Sequence, residues 1–354
     1  MARIVAVAPA LPDHVYSQEQ ITDVIAPMLT SDPSRQAVLR RLHGASRVDT
    51  RHLVMPIERY RDATTFTESN GKFIEAAADL TSRALTDALA ASGLEPEDVD
   101  YLMFTSVTGI SAPSIDAMVM ARLGLRADVK RVPMYGLGCV AGAAGIARVD
   151  DYLVGHPDDV AVLLAVELCS LTFQPGDDST ANLVATGLFG DGAAAVVMVG
   201  DARAAAMGAR GVEVVDTRSR LYPDTEGVIG FNASETGFRI VLTAQVSDVI
   251  EGNFGRDTAG LLADNGLDIA DVDTWVAHPG GPKVLDSFRA SLGLSEHALD
   301  RSWASLARVG NLSSVSVLDI LATELAEQHE PGTTGLLFAL GPGVSAELVL
   351  LRWA

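Results

Sequence analysis

The chain repeats itself at long range. "GLEPEDVD" at residues 93–100 returns as "GLDIADVD" at residues 266–273, an offset of 173 in a sequence of 354. Each copy follows a stretch of helical periodicity, "KFIEAAADLTSRALTDALAAS" and "FGRDTAGLLADN", and precedes a short apolar run of strand type, "YLMFTSV" and "TWVAH". The same offset lays "YGLGCVAGAAGIARVDDYL" over "ARVGNLSSVSVLDILATEL", so that Gly138 and Cys139 fall on Asn311 and Leu312. In both, a glycine turn opens a helix. Farther on, "GDGAAAVVMVG" from residue 190 pairs with "GPGVSAELVLL" from residue 341, each a Gly-x-Gly turn feeding a strand, the offset now shortened to 151 by lost loop. One such match arises easily by chance in alternating helices and strands; three in the same order point to two copies of one α/β unit. The expectation is a layered α/β protein with two pseudo-symmetric halves, residues 1–212 and 213–354, whose strand ends and helix N-termini converge where a ligand binds.

Composition narrows the chemistry. A net charge of −20 repels a phosphate backbone, which argues against nucleic acid as a partner. The opening "MARIVAVAPALP" is too short and too interrupted by proline for a membrane span or a signal peptide, so a cytoplasmic protein with no membrane partner is expected. Two cysteines, Cys139 and Cys169, make no disulfide framework, and without CxxC or His/Cys pairs at ligand spacing no metal is expected.

Cys139 sits among glycines and alanines at a helix start, where the helix dipole and unpaired N–H groups favour thiolate. With a nearby imidazolium its pKa would fall into the range of about 3.5–7.5. The small neighbours are expected to let a substrate approach closely. For a single cysteine, a small buried hydrophobe is the competing reading, and it is the default for Cys169 in "VLLAVELCSLTF". His278 differs from His14, His43, His52, His156, His297 and His329, which lie in polar or helical surroundings. It ends "TWVAH" and precedes "PGGP", a turn that presents its ring at a strand's edge. Asn311 follows Gly310 at a helix entry, where capping is the alternative. Thiolate, imidazole and amide donor together suit acyl transfer followed by decarboxylative carbon–carbon bond formation. The same trio could run papain-like hydrolysis, although the small residues around it predict a buried, narrow site.

At the level of whole motifs the chain resembles the chalcone-synthase-like, or type III, polyketide synthases of the thiolase-fold superfamily. "GLGCVAGAAG" is similar to the family's nucleophile motif, "AHPGGPKVLD" to its histidine motif and "GNLSSVSVL" to its asparagine motif. "LFGDGAAAVV" is similar to its gatekeeper segment, and "LFALGPGVSAELVLLRW" to its C-terminal glycine loop. The resemblance implies a thiolase-like fold with an α-β-α-β-α layering, Cys139 as acylated nucleophile, His278 and Asn311 as the decarboxylation pair, and Phe189 as gatekeeper. It also implies an acyl-CoA starter, a malonyl-type CoA extender, no cofactor and a homodimer. Arg41 matches an arginine that contacts CoA phosphates, with Lys283 and Arg47 as further candidates, and Ser313 is carried over as substrate-binding. The chain departs from the pattern at Leu340, where "ALGPG" replaces an aromatic, and at Val107, where relatives have threonine or cysteine. Val107 with Cys169 and Thr172 suggests a cavity for an aliphatic starter, closing to an α-pyrone or resorcinol, and the segment "ELCSLTFQPGDDSTANLVATGLFGDGAAA" especially resembles bacterial alkylpyrone and alkylresorcinol synthases. A ketoacyl-ACP-synthase-III-like enzyme making one extension shares the Cys, His and Asn, and a non-catalytic acyl-CoA-binding protein stands further off.

Overall fold

The computed structural model describes residues 2–61 and 65–354. Nine strands form one sheet: β1 (Arg3–Ala10), β2 (Val99–Thr105), β3 (Lys130–Met134), β4 (Val160–Leu168), β5 (Asp191–Val199), β6 (Val212–Leu221), β7 (Thr274–Ala277), β8 (Thr334–Gly341) and β9 (Ser345–Trp353). Their order across the sheet is β7-β8-β9-β6-β1-β5-β4-β2-β3. Read outward from the β6–β1 seam, the two sides match. β1-β5-β4-β2 on one side answers β6-β9-β8-β7 on the other, with the outermost of these pairs parallel and the rest antiparallel. The seam itself is short, Arg3 opposite Glu213 and Ile4 opposite Val212. Only β3 has no counterpart among the described residues.

The repeated octapeptides show why the pattern recurs. Gly93 and Gly266 take left-handed φ of 69° and 72°, which ends a helix without the Cβ penalty. A 3-10 turn follows, Pro96–Asp98 or Ile269–Asp271, each with its own capping box, and then a strand.

Period-two alternation sorts the strands' side chains into three cores. Val160, Val162, Leu164 and Val166 of β4 face outward against the long helix α1 (Phe66–Ser92), which Thr65 and Glu68 open with a capping box. Ala161, Leu163 and Ala165 face inward, into a central layer with helices α2 (Ala141–Gly155) and α5 (Ser316–Ala326). On the far side Leu336 and Phe338 of β8 pack under α3 (Pro282–Leu292) and α4 (Asp300–Val309). Helix, sheet, helix, sheet, helix is the thiolase-like layering that the sequence resemblance implied. Strands buried on both faces read as continuous apolar runs, as "VAVLLAVEL" does.

Candidate active site

The two central helices begin with matching 3-10 turns. Gly138–Val140 leads into α2 and carries Cys139; Ser313–Val315 leads into α5 and follows Asn311. They are pressed together: a Cβ at Gly142 would lie 2.1 Å from Ser314 O, and one at Gly138 would lie 2.7 Å from the Pro342 ring. The small residues beside Cys139 therefore make room for the other half of the protein, where the sequence suggested room for substrate. The close approach puts the Ser313 side chain beside Cys139, where it favours the thiolate. Ser313 itself sits at φ 52°, a left-handed conformation costly for a residue with a Cβ and concentrated at functional sites.

Asn311 is fixed by its backbone and by its side chain. Its N–H donates to Leu188 O at 2.8 Å and its carbonyl accepts from Gly190 N at 3.0 Å, bridging it to Phe189. Its Oδ1 accepts from Ser313 N at 2.8 Å, which turns the amide nitrogen away as a donor. His278 follows β7, its N–H on Phe338 O at 2.9 Å, and the turn after it packs Gly281 against Leu188. Both residues thus meet the Leu188–Phe189 segment. His278 is 3% and Asn311 1% exposed. Among the described residues His278 Nδ1 has no hydrogen-bond partner.

Electrostatics differ from the expected thiolate–imidazolium pair. Burial pushes the Cys139 thiol up to about 12, with the Glu167 carboxylate adding to the rise and Ser313 opposing it. Burial also drives His278 down to about 3. Desolvation of both groups outweighs the helix dipole here, so the resting pair is thiol and neutral imidazole.

Cys139, Phe189, Cys169, Thr172 and Ser313 line one cavity, otherwise walled by Ile21, Ile25, Leu53 and the hairpin residues Ile229, Phe231, Ile240 and Leu242. Val107 does not line it; it is buried with its N–H on Glu167 Oε2 at 3.1 Å. Leu340 faces the outer core of the second half, because alternate β8 residues point away from the central layer. Arg41 and Lys283 are exposed and lie outside the cavity wall. Arg47 holds its guanidinium 4.5 Å above the Trp303 ring.

Two groups escaped the sequence reading. Glu167, fully buried, accepts from Thr108, Ser314, Ser313 and Val107 N close to the Cys139 turn; a lone carboxylate in an apolar strand was its signal. Tyr60, whose hydroxyl meets Ser170 Oγ at 2.5 Å, joins the cavity wall to Asp191, which burial lifts to about 6. Among the described residues no helix is long and apolar enough to cross a membrane.

The model of the N-terminal domain of chalcone and stilbene synthases matches residues 1–202, and that of their C-terminal domain residues 213–354. Curated relatives include a 1,3,6,8-tetrahydroxynaphthalene synthase of Streptomyces peucetius subsp. caesius, 51% identical over 99% of this chain and 93% of the relative. The alpha-pyrone synthesis polyketide synthase-like Pks18 of Mycobacterium tuberculosis is 31% identical over 99% of this chain and 91% of its own. The crystal structure of 1,3,6,8-tetrahydroxynaphthalene synthase from Streptomyces coelicolor A3(2), a bacterial type III polyketide synthase, superposes with a TM-score of 0.93 at 32% identity, covering 99% of each chain.

Proposed function

This chain belongs to the chalcone and stilbene synthase family and is a type III polyketide synthase; from that premise we propose that it loads an aliphatic acyl group from CoA onto Cys139, extends it with malonyl-CoA and closes the product to an α-pyrone or resorcinol. The apolar wall around Cys139, from Ile21 and Ile25 to Ile240 and Leu242, carries this reading. It offers an alkyl tail burial worth about 0.8 kcal/mol per methylene.

The Cys139 sulfur attacks the thioester carbonyl as its proton passes to His278 Nε2 and then to the departing CoA sulfur. Because no partner fixes Nδ1 among the described residues, the ring can present Nε2 bare for this step and protonated for the next. Loss of CO2 from malonyl-CoA leaves an enolate, whose oxygen accepts from His278 Nε2 and Asn311 Nδ2. One such donor is typically worth about 2.7–4 kcal/mol. The carbanion then attacks the acyl carbonyl on Cys139 and the sulfur leaves. A homodimer would form along the free edge of β3, beside which Ile110, Val132 and Tyr135 are exposed.

A second reading, in which every unit comes from malonyl-CoA, is favoured by the 51% identity to a tetrahydroxynaphthalene synthase. Purified protein with malonyl-CoA and a series of acyl-CoA starters, analysed by mass spectrometry, separates the two. Products bearing the added alkyl chain support the first; products of malonyl-CoA alone, whatever starter is present, overturn it. A single extension would instead indicate the ketoacyl-synthase alternative. Product still formed by Cys139→Ala would remove the nucleophile assignment.

A further inference from the structure

One wall of the cavity is a hairpin, Ile229–Ser234 and Gly237–Leu242, that contributes Ile229, Phe231, Phe238, Ile240 and Leu242 to the lining. Among the described residues its strands pair only with each other, apart from the nine-stranded sheet. A two-stranded hairpin is marginal alone, so what it touches sets its position. At the tip Thr236 Oγ1 donates to Gln174 Oε1 at 2.6 Å, and Gln174 Nε2 donates back to Thr236 O at 3.3 Å. Of two aromatic contacts, one stays within the hairpin and one ties it to the rest of the chain. Phe238 meets Phe231, ring centroids 6.4 Å apart, and meets Phe66 edge-to-face at 5.3 Å and 77°. Phe66 opens helix α1, is half-buried and does not line the cavity. On this side, then, Phe238 is part of the cavity wall, and Phe238 is backed by a ring that itself reaches the surface.

We propose that the Phe66–Phe238 pair is the gate that sets how long a starter this synthase accepts, with Phe238 touching the end of the alkyl tail and Phe66 positioning Phe238. The inference rests on the aliphatic-starter reading and narrows it to medium- and long-chain acyl-CoA. A tail that stops short of Phe238 fits with the hairpin seated. A longer one must displace the ring into the position Phe66 occupies, and each methylene beyond that point loses the burial that favours binding. The gate lies on a wall whose strands are not paired with the main sheet.

The test measures kcat/KM for straight-chain acyl-CoA starters of six to sixteen carbons with malonyl-CoA, in the full-length protein. Phe238→Ala is expected to raise the ratio for fourteen over six carbons by about tenfold or more, the effect of room for two methylenes. Phe66→Ala should move the ratio the same way by less, and Phe66→Trp should lower it. A ratio unchanged in all three overturns the gate while the aliphatic reading stands. Wild-type protein that accepts no acyl-CoA of this series overturns that reading and the gate with it. If Phe238→Ala does not fold, Phe238→Leu decides: a shift toward longer starters supports the gate, and an unshifted profile overturns it.

Discussion

Alanine at Gly142 adds a single methyl group and should disable the enzyme. Gly142 lies in the first turn of α2, where alanine is by propensity about 0.8–1 kcal/mol better than glycine. Its new Cβ, however, would sit 2.1 Å from Ser314 O and 2.8 Å from Val317 Cγ2, when ordinary contact begins at 3.4 Å. The first obstacle is backbone, so no rotamer relieves it, and α2 must retreat from α5 by more than an ångström. Overpacking of this kind costs about 1–3 kcal/mol, at the upper end when backbone must move, leaving a net loss of about 2 kcal/mol after the propensity gain. The retreat also parts Cys139 from Ser313. A displacement of about 1 Å in a reacting geometry can cost roughly 100-fold in rate. Gly71 is the internal control: it lies inside α1 with nothing within 4 Å of the added methyl, so Gly71→Ala should stabilise by up to about 1 kcal/mol and leave turnover alone. Thermal unfolding and product formation from malonyl-CoA, measured on both variants, check the argument. Gly142→Ala that unfolds no earlier than wild type and turns over at the wild-type rate would refute the claim that the halves are in contact beside Cys139.

Two further outcomes follow from the buried charges. With His278 held down to about 3, its ring stays neutral through the ordinary working range, so malonyl-CoA decarboxylation should be flat from pH 5 to pH 8; an inflection near 6.5 would mean that the imidazole titrates as if exposed. With the Cys139 thiol pushed up to about 12, thiolate accumulates only in alkaline solution, and alkylation of the substrate-free protein by iodoacetamide should keep accelerating above pH 9. A plateau near pH 7, with alkylation mapped to Cys139 by peptide mass, would show that an ion pair with His278 outweighs burial.

The architecture was legible because the repeat records backbone requirements. Glycines at 93 and 266 end helices in a conformation other residues resist, and the Asp-Val-Asp that follows closes a short turn before a strand. Local constraints of that kind survive in sequence. The placing of Cys139 and Asn311 was legible for the same reason, each at a glycine turn before a helix. What escaped depended on burial and on partners distant in the chain. The ionisation of Cys139 could not be judged without knowing that Glu167 lies close to it, and the glycines beside it could not be read without Ser314, which is far away in sequence. Leu340 was placed on the cavity wall by motif position, but the parity of its strand points it to the outer core. The hairpin from Ile229 to Leu242 carries no motif at all; its importance comes from the space it encloses.

The pseudo-twofold scaffold has two equivalent corners, and they are unequally furnished. At the corner matching Cys139 stands Leu312, wholly buried, its methyls against the bare faces of Gly190 and Gly192. One corner presents a thiol to the cavity and the other is a plug. On the proposed function, each polypeptide would therefore carry one growing chain at a time, although its symmetry would have permitted two.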